Sequence, residues 1–375
     1  MGARRTRGRR ALAYPLILLP VLALLSGCLS SDPLEGLDGA RSRAFAVNEN
    51  GVIVGRAVAG DGHQVGVMWD GAGVMTELPR LNGGTAEALD VNDQGQIVGH
   101  AFHDTFDCIQ LFCPFNRHHA FLYDSTTGTL QDLADFGVGD LPPDASQQIA
   151  TGSVAEAINE AGIVVGTSAS IGPPTEPGVP FTPYSRGFAL DTTTGVLTDL
   201  SAYGLTSAHD INEHGHVIGQ LVNPQLGQAA VLDLATGAVT PIGTFGGSFS
   251  RAHAINDEGL VVGNAQVADN SAFHAFVFDL ATGVLTDIGT LQAPGAPNST
   301  AYGVSNDGIV VGTSAASGEQ HPFAYDVSAR SIHDLGVLGG SNIVEARDIN
   351  DAGVVVGFSG VDPRQAWRTS VWRHY

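Results

Sequence analysis

One unit recurs seven times along this chain, and no other feature limits its folding as strongly. The fifth copy shows it most plainly. It runs Arg251-Ala-His-Ala-Ile-Asn-Asp-Glu-Gly-Leu-Val-Val-Gly263, then, after a gap, His274-Ala-Phe-Val-Phe-Asp-Leu-Ala-Thr-Gly-Val-Leu-Thr-Asp-Ile-Gly289. A sustained period of about 45 residues excludes most folds and points to stacked or circularly closed β units.

Each copy reads as four short strands. The first ends at Asn48, Asn92, Asn159, Asn212, Asn256, Ser305 or Asn350, and a glycine follows three residues later in all seven, from Gly51 to Gly353. Asn or Ser with Gly three places on is the chemistry of a type I turn, the glycine taking the left-handed bulge position. The second strand, rich in Val and Ile, ends at another glycine, from Gly55 to Gly357, where a crowded place or a bend is expected. The third ends at an aspartate, as at Asp124, Asp191, Asp233 and Asp279. Its side chain is expected to cap an Asp-x-x-Thr-Gly turn. A fourth strand, beginning near Val284 in the fifth copy, completes a meander.

Two all-β architectures fit: a seven-bladed β-propeller of four-stranded meander blades, and an open β-solenoid. The termini favour the propeller. The seventh copy runs to Arg368-Thr-Ser-Val-Trp-Arg373 and lacks a fourth strand. The stretch from Pro33 to Ala44 aligns without gaps to that from Pro241 to Ala252, so the N-terminal segment carries what the last copy lacks. Pairing the two would seal a ring and remove exposed sheet edges. A solenoid wants a polar capping unit at each end instead.

Residues 1–27 read as a separate element. Met1 to Arg10 holds five arginines, Ala11 to Leu25 is apolar and broken by Pro15 and Pro20, and Leu25-Ser26-Gly27-Cys28 follows. A basic head, a short apolar stretch and small residues before the cut describe a secretory signal, too short to span a bilayer. The ending resembles the lipobox of bacterial lipoproteins. That resemblance implies diacylation of Cys28, a two-chain membrane anchor. With Leu29 and Ser30 rather than Asp after the cysteine, it further implies the outer membrane. Residues 28–32 then form a short tether, and 33–375 a single domain held near the membrane.

The chain is acidic, with a formal charge of −21, and all 17 basic residues are arginine. This excludes a nucleic-acid partner, which needs a basic patch, and suits plain solubility. Once Cys28 is lipidated, Cys108 and Cys113 remain, and an even pair in an oxidising compartment is expected to form a local disulfide. A zinc site joining them to His103, His118 or His119 would need reduced thiolates. The expectation is therefore no metal and no cofactor.

The repeats resemble those of the HAF-type extracellular repeat family, named for its His-Ala-Phe step. The step appears as His119-Ala-Phe121 and His274-Ala-Phe276, with looser forms at His321-Pro-Phe323 and Arg186-Gly-Phe188. The Asn-x-x-Gly-x-Val-Val-Gly signature matches well in most copies; Ser305 departs from it in the sixth. The resemblance spans nearly all of the chain after the signal. It implies architecture and an extracellular setting, and no activity.

No familiar enzyme motif is present: no His-Glu-x-x-His, no Gly-x-Ser-x-Gly, no phosphate loop, no dinucleotide fingerprint. Asp90-x-Asn92, Asp210-x-Asn212 and Asp348-x-Asn350 resemble calcium-loop openings, but the twelfth places hold Ala101, Leu221 and Ser359 rather than an acid. Turn chemistry explains them, and His214-Gly-His216 likewise. The departures from the repeat say more. From the second-strand glycine to the third strand takes twenty residues in two copies, Gly99 to His119 and Gly166 to Arg186, twice the usual gap. The linker from Leu133 to Ala155 is long too, and all three should emerge on one face. They present His103, Phe106, Asp107, Phe112, Phe115, Arg117 and His118, then Phe181 and Tyr184. Such aromatic and polar groups on loops suit a glycan or protein ligand. The expectation is a lipid-anchored binding or scaffold propeller, at the cell surface or in the periplasm, with no evident catalytic site. One alternative is a propeller lyase or glycosidase acting on an extracellular polysaccharide, its paired acids hidden among turn aspartates. Another is a purely structural envelope protein.

Overall fold

The computed structural model describes residues 31–34, 41–81, 84–103, 117–134, 149–172, 182–222, 227–291, 298–316, 319–336, 343–360 and 367–373. Cys28, Cys108, Cys113, Phe106, Asp107, Phe112, Phe115 and Phe181 lie outside the described residues. The backbones of His103, Arg117 and Tyr184 belong to strands Gln96–His103, Arg117–Asp124 and Thr182–Asp191.

The protein is all-β, its strands arranged as in a propeller. Among the described residues the one helical element is a single 3-10 turn, Leu200–Tyr203, capped by Asp199. The fourth copy shows the meander: Leu205–Ile211 pairs antiparallel with His216–Leu221, that strand with Ala229–Asp233, and that one with Val239–Pro241. The same order builds five four-stranded sheets. The second and third copies share one eight-stranded sheet, joined where Gly152 bridges in parallel to His118. Ser31–Leu34 is the outer strand of the sheet holding the seventh copy, paired with Trp367–Arg373.

Local chemistry explains the unit. Asn256 closes its turn by accepting the Leu260 amide at 2.8 Å on Oδ1, and Gly259 sits at φ 79°, a left-handed conformation that costs glycine little. Asp279 caps the next turn, accepting the Ala281 amide at 2.9 Å. Beyond the first turn, each first strand carries a β-bulge, between Ala252 and Ala254 in the fifth copy. The bulge faces the second-strand glycine. A Cβ added to Gly263 would meet the carbonyl oxygen of Arg251, and its six counterparts are as crowded. The expected crowding therefore has a cause: the bulge drives a carbonyl against the neighbouring strand.

A bulge leaves one residue out of the ladder and re-aims its side chain. Here those residues are Phe45, Leu89, Glu156, His209, His253, Tyr302 and Arg347, one per copy.

The core lies between sheets rather than within them. Among the described residues it divides into seven apolar clusters. One joins Ile218 and Val231 of the fourth copy to Ile255 and Phe276 of the fifth. Another joins Trp69 of the first copy to Val356 of the seventh. Burying one such side chain fully contributes roughly 1.5–3 kcal/mol, so each sheet holds its neighbour in place.

Candidate functional site at the mouths of a central channel

The first strands surround a central channel. At the turn side each Asn side chain reaches into the following copy. The Nδ2 of Asn48 donates to the Asn92 carbonyl at 2.9 Å, Asn92 to Asn159 at 3.2 Å, Asn159 to Asn212 at 3.2 Å, Asn212 to Asn256 at 3.0 Å and Asn256 to Ser305 at 2.8 Å. Asn350 donates to the Asn48 carbonyl at 2.9 Å, linking the last copy to the first. Ser305 has no amide to pass on. An outer tier repeats the relay: the backbone N–H of Glu49 donates to Asp93, Asp93 to Glu160, Glu160 to Glu213, Glu213 to Asp257, Asp257 to Asn306, Asn306 to Asp351 and Asp351 to Glu49. These carboxylates serve the fold by taking backbone amides that would otherwise lack partners.

One layer deeper stand Asp90, Asp210 and Asp348, the aspartates of the calcium-like openings. Each clamps two copies. Asp90 accepts the amides of Val91 and Ile158 at 2.8 Å each, Asp210 those of Ile211 and Ile255 at 2.8 Å each, and Asp348 those of Ile349 at 2.8 Å and Val47 at 2.9 Å. Burial pushes Asp90 up to about 6 and Asp348 up to about 7, and burial followed by the charge of Asp90 raises Asp210 well above the usual carboxylate value.

The opposite mouth holds a cavity of about 330 Å³ lined by Arg43, Phe45, Arg56, Glu87, Leu89, Glu156, His253, Tyr302 and Arg347. Those residues come from six of the seven copies, so the cavity lies on the channel axis. Six of the nine side chains are charged or imidazole. Arg56 pairs with Glu87. Arg347 lies 3.0 Å from Glu345 and stacks 4.5 Å over the Tyr302 ring. Tyr302 in turn lies 5.1 Å from the His253 ring, and Arg43 sits 4.4 Å over Phe358.

The electrostatics follow from depth. Burial raises Glu156 to about 7, opposed by Arg251 and reinforced by Glu87. Burial, then Arg251, lowers His209 to about 3 and holds His253 well below the usual imidazole value. Both histidines are neutral at pH 7. Burial, then the charge of Arg56, lowers Arg43. The mouth thus offers fixed cations, neutral imidazoles and a carboxyl poised between its two forms, which can hold an anion and exchange hydrogen bonds with hydroxyl groups.

Of the residues expected to bind, His118 is described with its side chain. It lies outside the mouth, its ring 3.9 Å from Phe102 and 5.0 Å from His100. The Nδ1 atoms of His100 and His118 are buried without a hydrogen-bond partner, and burial lowers both pKa values, that of His100 to about 4. The His-Ala-Phe histidines are structural. His119 pairs with Asp132 at 3.0 Å, His274 with Asp287 at 2.9 Å and His321 with Asp334 at 2.8 Å, and Arg186 replaces the histidine against Asp199 at 3.2 Å. Each pair crosses from third strand to fourth. His214 and His216 stack at 6.2 Å beside their turn. Among the described residues no three His, Cys, Asp or Glu side chains converge as a metal ion needs.

The mouth itself leaves little trace in the sequence. Its signal is a single position, between an invariant alanine and a residue two before the Asn, that holds Phe, Leu, Glu, His, His, Tyr and Arg in turn.

A family model described as a protein of unknown function, DUF3466, matches residues 198–293. No curated protein matches the chain. Solved structures share the fold at low identity. The β-propeller domain of the Trilobed protease from Pyrococcus furiosus, described as having an open velcro topology, is 8% identical with a TM-score of 0.55, over 89% of this chain and 96% of that one. An oligogalacturonate lyase in complex with manganese is 14% identical with a TM-score of 0.51, over 92% and 96%. The acylaminoacyl peptidase of Pyrococcus horikoshii is 10% identical with a TM-score of 0.56, over 89% of this chain; the chain spans 51% of that protein's length. The likeness is to β-propellers.

Proposed function

We propose that this chain is a lipid-anchored binding module of the bacterial envelope, a seven-bladed propeller whose ligand enters at the polar mouth of the channel. The observation that carries the reading is the bulged position. An alanine precedes it in all seven copies and a Val or Ile follows it two residues later, while the position itself changes from copy to copy, and six of its residues line one cavity. A repeated scaffold whose varying side chains gather at one cavity has positions free to serve a ligand.

Ring closure is supported by contacts between the ends of the repeat array, among them Asn350 on Asn48, Asp348 on Val47, Asp351 on Glu49, Val356 against Trp69, and the pairing of Ser31–Leu34 with Trp367–Arg373. Anchorage is supported by the segment ending in Cys28. Cys28→Ala is expected to move the protein from the outer-membrane fraction to the soluble one; retention in the membrane would end that part.

Binding is tested by screening the full chain against envelope and extracellular glycans, beside a Tyr302→Ala, His253→Ala double variant. Capture by the native chain and loss in the variant, with the melting transition kept, is the expected outcome. No capture at all would favour the purely structural reading. An enzymatic reading has one observation in its favour: Glu156, raised to about 7, has the pKa of a general acid–base. New reducing ends or new unsaturated ends from a polysaccharide would establish it.

A further inference from the structure

We infer that the mouth takes a singly charged, hydroxylated carboxylate of sugar size, the chemistry of a uronic-acid residue. This rests on the binding reading above and specifies its ligand.

Charge is the first argument. In a protein of formal charge −21, the mouth gathers Arg43, Arg56 and Arg347 against Glu87 and a Glu156 raised to about 7, while behind the wall Glu345 pairs with Arg347 and Arg251 acts on Glu156, which leaves a small positive surplus. A monoanion balances that surplus. A dianion such as phosphate or sulfate would face two carboxylates in the same wall.

Orientation is the second. Arg347 stacks over Tyr302 at 4.5 Å and Arg43 over Phe358 at 4.4 Å. Stacking occupies the flat face of a guanidinium and leaves its edge N–H groups in plane. That edge matches a carboxylate in the two-bond fork arginine forms with it. Burial, and after it the charges of Arg56 and Arg347, lower the pKa of Arg43, so these cations are close enough to repel one another and an anion would relieve them.

The third is the remaining wall. Glu87 accepts hydrogen bonds, and Glu156, His253 and Tyr302 can each accept or donate, as the hydroxyls of a sugar require. At about 330 Å³ the cavity stands at the lower end of small-molecule sites, which run about 300–1,000 Å³. It suits one or two sugar rings rather than an extended chain.

The test is calorimetric titration of the full chain in detergent with sodium glucuronate, glucose and inorganic phosphate at pH 7. Glucuronate is expected to bind at least about tenfold more tightly than either of the others, and Arg347→Ala to weaken it about tenfold, with Arg347→Lys between. Should Arg347→Ala fail to fold, Glu87→Gln serves in its place. It removes a repelling carboxylate and is expected to strengthen phosphate binding several-fold, a gain misfolding cannot produce. Glucose matching glucuronate, phosphate exceeding it, or an unchanged affinity in a folded Arg347→Ala would each overturn the inference while leaving the mouth a binding site. Silence toward all three probes overturns the inference, and the glycan screen then decides the wider reading.

Discussion

The two mouths of the channel are made by the same strands, three residues apart, and they are opposites. At the turn side Asn256 does what Asn48, Asn92, Asn159, Asn212 and Asn350 do, handing an amide to the next copy. At the far side His253 stands where other copies place Phe45, Glu156, Tyr302 or Arg347. Repetition marks the positions that tie one copy to the next; variation beside a constant alanine marks those released from that duty.

The sharpest way to break this comparison is at the constant glycines. Gly263→Val would force a side chain into the Arg251 carbonyl and with it the bulge. A loss of about 3 kcal/mol is expected, read from the urea midpoint. A tolerated valine would mean the bulge is not built into the unit.

The turn-side relay comes next. Asn212→Ala removes the partner of the His216 amide and one of the two donors to the Asn256 carbonyl, and should cost about 1–3 kcal/mol. Ser305→Asn supplies the one missing amide and should add about 1 kcal/mol. Equal stability of all three chains would show the relay to be ornamental.

The pH dependence separates the layers. Asp90, Asp348 and Glu156 have folded pKa values of about 6, 7 and 7, above those of carboxyls in an unfolded chain. The folded state therefore holds the protons more tightly. The stability this brings is fully present below about pH 4 and is lost as the pH rises to about 7. Melting temperature should fall between pH 5 and pH 8 on account of these groups, and Glu156→Gln should flatten part of the slope. An unchanged slope in that variant would place Glu156 in contact with bulk solvent.

Smaller effects complete the contrast. His274→Ala removes a half-exposed pair with Asp287 and should cost about 0.5 kcal/mol in denaturant unfolding. His253→Gln, at the mouth, should change stability by less than about 0.5 kcal/mol. A loss there as large as that of Asn212→Ala would show that the bulged residue serves the fold after all.

Much of the unit was legible. Asn256 and Gly259 announce their turn because side chain, backbone and left-handed glycine act within four residues. Gly263 announced crowding, though not the bulge that causes it. The propeller-like arrangement of meanders was legible from the period. The mouth was not. Nothing local tells a reader that His253 leaves the ladder while Ala252 and Ala254 stay paired. The aromatic residues that stand out in the sequence, around Phe106 and Phe181, lie outside the described residues. Asp90, Asp210 and Asp348 looked like turn residues and do bind backbone amides, but each takes one from the following copy as well.

By itself, then, the sequence determined the four-stranded meander, its turns and its crowded glycines, because those depend on forces that reach only a few residues along the chain. The tertiary structure decided which strand faces the axis and which residue of that strand looks into it. A strand has two faces, and only packing against neighbouring copies, as Trp69 packs with Val356, settles which is buried between sheets and which is left to the channel.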